Sequence, residues 1–132
     1  MALKPIAKYV GIRILRTRLG GTLFSKWIWP MIASHFPKNE LRQSDYLVAF
    51  FHPTPSYPYH VLLVPKKSIP SLSGLGMEDQ ALLVDLVQMV NSLVEEFGLE
   101  ETGYRLIVNG GKYQEVPQLH WHLVAQQPVH SR

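Results

Sequence analysis

The chain contains no cysteine, no long uncharged apolar run and, over its first 39 residues, no acidic residue. Without cysteine, a disulfide scaffold, a Cys-ligated zinc site and thiol catalysis are excluded. No stretch approaches the run of about 18 uncharged apolar residues that indicates a membrane-spanning helix. The 132 residues fit one domain, and the hydrophobic fraction of 46% is enough for a core.

The net charge of +3 is unevenly distributed. Residues 1–39 hold seven of the thirteen basic side chains, whereas the rest of the chain holds six basic and all ten acidic side chains. The basic character therefore belongs to one segment. A nucleic-acid surface extending over the whole fold is not indicated, and we expect no DNA partner.

The basic segment reads as a helical extension. Residues 6–19 mix apolar and basic side chains with an imperfect apolar stripe, and a Gly-Gly pair follows. Three interpretations stay open: a helix packed on the core, a site for an acidic partner, or peripheral membrane contact through residues 1–36. Trp27 and Trp29 would then lie at the membrane interface.

The rest of the chain predicts four strands and one long helix. Leucine, valine and phenylalanine recur at helical spacing between Met77 and Phe97, and Gly98 is the expected stop. Alternating or apolar runs predict strands over residues 45–51, 60–64, 104–109 and 116–125. The order β–β–α–β–β indicates an α+β fold with a largely antiparallel sheet.

The last predicted strand carries the candidate chemistry. Gln118, His120 and His122 alternate along it, so their side chains are expected on one face. Two exposed histidines in water would give the same pattern. Zinc is a further alternative, but it needs a third ligand, for which only His60 is an obvious candidate.

The surroundings of these residues resemble the histidine triad (HIT) family of nucleotide hydrolases and transferases. The family signature alternates histidine with apolar residues, and here residues 118–124 read Gln-Leu-His-Trp-His-Leu-Val. The family's upstream block, a turn with two prolines and a histidine, a strand and then Pro-Lys-Lys, ends here at residues 65–67. The resemblance covers residues 45–126 and implies a HIT-like fold with a basic extension over residues 1–40 and the domain over 41–132.

The resemblance also implies a mechanism. His120 would attack the α-phosphorus of a nucleotide ester, anhydride or phosphoramidate and form a nucleotidyl-histidine. The carbonyl of Gln118 would hold the other ring nitrogen of His120. His122 would contact the phosphoryl oxygens or the leaving group, and His60 would support the triad. Imidazole suits this role because its ordinary pKa of about 6.5 leaves it mostly neutral near pH 7.

Further residues are implied for nucleotide binding: Asn109, Phe50, Leu62, His52 and Gln114. A purine nucleotide substrate, a homodimer, no cofactor, no metal and a cytoplasmic location are also expected. Gln118 replaces a histidine that can take a proton, His52 stands where relatives often carry a ribose-binding acid, and Glu115 replaces a small hydroxyl residue. These departures keep open a non-catalytic nucleotide-binding or membrane-peripheral scaffold module.

Overall fold

The computed structural model describes residues 40–129 and shows an antiparallel sheet with one long helix, which confirms the predicted α+β fold. Its strands and helices are β1 (Glu40–Gln43), β2 (Leu47–Phe51), β3 (Tyr59–Pro65), α1 (Gln80–Phe97), α2 (Leu99–Thr102), β4 (Arg105–Val108) and β5 (Trp121–Ala125). Short 3₁₀ turns lie at Leu72–Gly74, Met77–Asp79 and Gly111–Tyr113.

The last strand of the chain lies inside the sheet. The strand order is β1-β2-β3-β5-β4, and every neighbouring pair is antiparallel. His122 of β5 is opposite Leu62 of β3 on one side and opposite Ile107 of β4 on the other. β5 therefore presents His122 in the middle of one sheet face.

The two faces of the sheet differ in what covers them. One face packs on α1, and its strand residues include Leu47, Ala49, Leu63, Trp121 and Leu123. The alternate residues form a second, smaller apolar cluster, with Val48 and Val64 buried and Phe50, Leu62 and Val116 against them. This division follows from the period of two along a strand, which sends Trp121 to the core and His122 to the opposite face.

The long helix begins three residues later than predicted. Met77–Asp79 form a 3₁₀ turn, in which the carboxylate of Asp79 accepts the Gly76 N–H at 2.9 Å. Gly98 ends the helix as predicted, with a φ of 65° that glycine adopts without steric cost. Leu83 and Val87 are among the apolar residues of this predicted helix, but their side chains are exposed.

Two elements were missed, and one predicted strand was too long. β1 and α2 have only four residues each, too short for a periodic signal. β5 begins at Trp121, so residues 116–120 approach the sheet as an irregular segment that contains Pro117.

The predictions for residues 1–39 lie outside the described residues. These are the basic helical extension and the peripheral membrane contact. No helix between residues 40 and 129 has both the length and the apolar character needed to cross a bilayer.

Candidate active site

A cavity of about 580 Å³ opens on the sheet face that is turned away from α1. It brings together eight of the nine residues that the sequence selected. These are Phe50, His52, His60, Leu62, Asn109, Gln118, His120 and His122. The antiparallel register explains the grouping, because Phe50, Leu62 and His122 lie side by side on three adjacent strands.

One wall of the cavity is apolar. Phe50 and Leu62 are opposite each other on β2 and β3, and both are partly buried against Val48, Val64 and Val116. A flat apolar wall of this kind suits one face of an aromatic ring system, whereas the polar groups of the cavity come from other strands and loops.

His120 has its proton position set by the main chain. Its Nδ1 lies 2.7 Å from the carbonyl oxygen of Gln118. Because a carbonyl oxygen can only accept, Nδ1 donates and holds the proton of the neutral ring. The lone pair of neutral His120 is then on Nε2, the nitrogen that a nucleophile needs.

The hydrogen bond between His60 and His122 has a defined donor and acceptor. The N–H of Ser56 donates to His60 Nδ1 at 3.1 Å, so the neutral ring of His60 carries its proton on Nε2. That nitrogen lies 2.8 Å from His122 Nδ1. His122 Nδ1 therefore accepts, and the neutral ring of His122 carries its own proton on Nε2.

Burial keeps these two rings neutral. Desolvation, with a smaller contribution from the nearby imidazole of His52, lowers the pKa of His60 to about 4. Desolvation likewise lowers the pKa of His122 to about 4, with the neighbouring imidazole of His120 as the next cause. Near pH 7 the neutral ring of His122 therefore presents an N–H to the cavity.

His52 packs against the same histidines. Its ring centroid lies 4.4 Å from that of His60, and its plane is nearly parallel to that of His122 at a centroid distance of 6.2 Å. The N–H of Thr54 donates to its Nδ1 at 3.0 Å. The loop between β2 and β3 thus adds a third imidazole to the pair.

The Gln118 side chain differs from the expectation. It was expected to lie beside the two histidines on the exposed sheet face, but it is buried under the loop that follows β3. Its Oε1 accepts the N–H of Ile69 at 3.2 Å, and its Nε2 donates to the carbonyl of Lys67 at 3.1 Å. The cause is the late start of β5, which leaves Gln118 outside the strand alternation.

Gln114 does not line the cavity. Its Nε2 donates to the carbonyl oxygens of Pro70 and Val116, at 2.6 and 3.0 Å. The amide joins the Gly110–Gln114 turn to the loop after β3, and a contact of Gln114 with a nucleotide stays a prediction.

Several residues that the sequence did not indicate also line the cavity, among them Thr54, Ser56 and Tyr113. Thr54 and Ser56 act through their backbone N–H groups, which carry no side-chain signal. Tyr113 is 83% exposed at the rim, in a turn that Gly111 begins with a φ of 58°. The Gly-Gly pair marked the turn but not the direction of the aromatic ring. Between residues 40 and 129, no group of three or more histidine or acidic side chains has an arrangement that could hold a metal ion.

Comparisons of this chain with protein families, curated proteins and solved structures all find members of one family. The family described as HIT domain matches residues 34–129. Purine nucleoside phosphoramidase of Escherichia coli K12 is 32% identical over 110 residues, which are 82% of this chain and 89% of that protein. The crystal structure of a HIT family hydrolase from Legionella pneumophila has a TM-score of 0.68 and 28% identity, covering 76% of this chain and 92% of that one. A histidine triad protein from Clostridium difficile has a TM-score of 0.67 and 29% identity, with 80% and 93% covered.

Proposed function

The chain belongs to the HIT family, and from that premise we propose that it hydrolyses purine nucleoside phosphoramidates through a covalent intermediate on His120. The observation that carries the proposal is the presence of two imidazoles in one cavity whose hydrogen bonds direct their outer nitrogens to complementary functions. One offers a lone pair on Nε2, and the other offers an N–H. The substrate class is that in the name of the Escherichia coli relative.

The first step forms a bond between His120 Nε2 and the α-phosphorus. The bond from phosphorus to the leaving nitrogen breaks, and that nitrogen keeps the electron pair and takes up one proton. In the second step water attacks the phosphorus, the electron pair returns to Nε2, and water releases one proton. The sum is phosphoramidate plus water giving a nucleoside monophosphate plus an amine. Dividing one displacement into two is the usual advantage of covalent catalysis.

His122 would stabilise the charge that develops on the phosphoryl group. Its Nε2–H can donate to a phosphoryl oxygen or to the leaving nitrogen, and its ring is held by His60 at 2.8 Å. A donor fixed before the reaction begins needs no reorganisation as charge develops. Phe50 and Leu62 would hold the base, with Asn109 and His52 on the polar side of the cavity.

From the alternation of residues 118–122 we infer that Gln118 takes the place of the first histidine of the triad. We propose that the site tolerates the loss of that imidazole because the remaining role of this position, holding His120, is performed by the backbone carbonyl. The carbonyl of Gln118 holds His120, and its amide supports the loop beneath. Neither contact requires a group that takes up a proton.

We further propose that the chain forms a homodimer through β4. In the described sheet β4 pairs only with β5, so its other edge has unpaired backbone groups. Leu106 of β4 is 40% exposed on the side of the sheet that carries α1, and Val84 and Val87 of α1 are more than half exposed. A second copy would cover both features.

A nucleotide-binding module without turnover is the second candidate. Glu115 lines the cavity, and a carboxylate near the path of a phosphate is unfavourable unless it turns away. The test is hydrolysis of adenosine 5′-phosphoramidate by the full chain and by His120→Ala. If wild type turns over this substrate and His120→Ala does not, the result supports the enzyme. If wild type binds the substrate without turnover, the result supports the binding module.

Peripheral membrane contact through residues 1–36 remains a prediction. It is tested by sedimentation of the full chain, and of a chain lacking those residues, with anionic vesicles at low salt. Loss of sedimentation on deletion would support it, and no sedimentation of the full chain would contradict it.

A further inference from the structure

The acidic side chains of the chain are concentrated on α1, on α2 and on the turn before α1. Residues 78–101 hold seven of the ten carboxylates and no lysine or arginine. Four of these carboxylates are exposed at the junction of α1 and α2 and are called here the α1–α2 acidic patch: Glu95, Glu96, Glu100 and Glu101. Residues 1–39 have the opposite composition, with seven basic side chains and no acidic one.

Most of the charge of the α1–α2 acidic patch is not compensated by the domain itself. Glu96 pairs with Arg42 of β1. Among residues 40–129, Glu95, Glu100 and Glu101 take part in no ion pair. A group of like charges creates a local potential that attracts charges of the opposite sign, and this attraction is strongest at low ionic strength. The patch therefore favours a basic partner.

The direction of β1 brings the preceding residues to this patch. Arg42 of β1 bonds to Ser92 and Glu96, near the end of α1. Two residues later, Ser44 bonds to Asp85 in the first half of α1. β1 therefore runs from the end of α1 that adjoins α2 toward the beginning of α1. Residues 1–39 accordingly enter the described fold at the α1–α2 acidic patch.

A buried hydroxyl without a partner lies at the same edge of the molecule. Tyr59 is 1% exposed, and its Oη makes no hydrogen bond within residues 40–129. Its ring packs on Phe97, the last residue of α1, at a centroid distance of 4.9 Å. Burial, and after it the nearby carboxylate of Glu96, raises the pKa of Tyr59, so the hydroxyl keeps its proton. A buried donor without an acceptor is destabilising, so a segment that covers this edge and supplies an acceptor would stabilise the fold.

We propose that residues 1–39 bind the α1–α2 acidic patch of their own chain, with their basic side chains against its carboxylates and an acceptor for Tyr59 Oη. The 18 residues of α1 span about 27 Å, a distance that 39 residues cover easily. The residues named for the proposed homodimer, Leu106, Val84 and Val87, are not part of the patch. The inference is independent of the hydrolase proposal. An anionic membrane would compete for the same basic side chains, and the test distinguishes it.

The test places one nitroxide spin label in the full chain, which the absence of other cysteines allows, at Ser25→Cys. In ¹⁵N spectra at low salt we expect the amide signals of residues 95–102 to lose at least about half of their intensity, while those of residues 80–84, at the other end of α1, keep theirs. Salt at about 0.5 M should largely restore the signals, because it screens contacts between exposed charges.

Two matched double variants test the role of the carboxylates. Glu100→Gln with Glu101→Gln removes two charges from the patch, and the signal loss at residues 95–102 should fall at least about twofold. Asp45→Asn with Glu78→Gln removes two charges beside the first turn of α1 and should leave the signal loss unchanged. An equal signal loss in both double variants would overturn the proposal.

The alternative occupants give different results. A mixture of ¹⁵N-labelled chain without nitroxide and unlabelled chain with nitroxide should show no signal loss at residues 95–102. Signal loss in that mixture would assign the contact to a second copy and overturn the proposal. No signal loss within the spin-labelled chain, or loss only after anionic vesicles are added, would overturn it as well, the latter in favour of a membrane.

Tyr59→Phe gives an independent measurement. In the full chain it should lower the midpoint of urea unfolding, because it removes a hydrogen bond to residues 1–39. A midpoint that is unchanged or higher would show that the hydroxyl has no acceptor and would overturn that part of the proposal.

Discussion

His60 Nε2 lies 2.8 Å from His122 Nδ1, and this contact decides which nitrogen of His122 carries its proton. The direction of this series of hydrogen bonds is set at Ser56, because its backbone N–H donates to His60 Nδ1. In the proposed function, the buried imidazole of His60 would therefore act through its neighbour His122 rather than by touching the substrate. His60 is a positioning residue in this account.

Replacing His60 tests that role. In His60→Leu the donor to His122 is lost, and we expect kcat to fall about a hundredfold with little change in KM, since a wrong tautomer removes transition-state stabilisation. His60→Gln supplies an amide N–H at a similar distance from His122, and its kcat is expected to be about tenfold higher than that of His60→Leu. Steady-state kinetics of both variants measure this. Equal losses in two stably folded variants would show that His60 does not act as a donor.

Stability should depend on pH through the same pair. Both imidazoles have a pKa near 4 in the folded chain, chiefly because of burial, against about 6.5 when unfolded. Between these values the unfolded chain binds protons that the folded chain does not. Their favourable contribution is therefore complete above pH 6.5 and is lost as the pH falls toward 4.

Urea unfolding at pH 7.5, 6 and 5 measures this dependence. The double variant His60→Gln, His122→Gln should lose less stability over that range than wild type does. If both proteins show the same loss, other groups cause the pH dependence.

The buried amide of Gln118 should matter for stability. Gln118→Ala leaves the Ile69 N–H and the Lys67 carbonyl without partners, and buried unsatisfied groups of this kind give an expected loss of about 2–3 kcal/mol in the free energy of unfolding. Gln88→Ala, on the exposed side of α1, is the matched control and should change it by less than about 0.5 kcal/mol. Chemical denaturation measures both. A loss for Gln118→Ala no larger than the control would contradict the structural role.

The proposed homodimer makes a prediction about assembly. Leu106→Lys puts a charge on the exposed side of β4 and should convert a dimer to a monomer, as charges on edge strands oppose pairing. Leu72→Lys changes a similarly exposed leucine on a distant 3₁₀ turn and should leave the dimer intact. Light scattering gives the mass of each. A monomeric wild type, or a dimeric Leu106→Lys, would remove the proposed interface.

The sequence predicted the sheet and the long helix because their periodic patterns are long enough to read. It also predicted that His120 and His122 would line one site. It could not predict the place of Gln118, since that depends on where β5 begins after Pro117.

The proton positions on His60 and His120 could not be predicted either. They depend on backbone groups of Ser56 and Gln118, which every residue type carries. The position of Ile107 opposite His122 follows from the insertion of β5 between β3 and β4. No local sequence pattern predicts that strand order.

The central claim is that His120 forms a covalent bond to the α-phosphorus. The most direct measurement incubates wild type and His120→Ala with α-³²P-labelled purine nucleotide substrate and quenches in alkali, in which a phosphorus–nitrogen bond to histidine survives. We expect label on wild type, none on His120→Ala, and loss of the wild-type label on acid treatment. Equal labelling of both proteins, or turnover by wild type with no label trapped at any time, would contradict it.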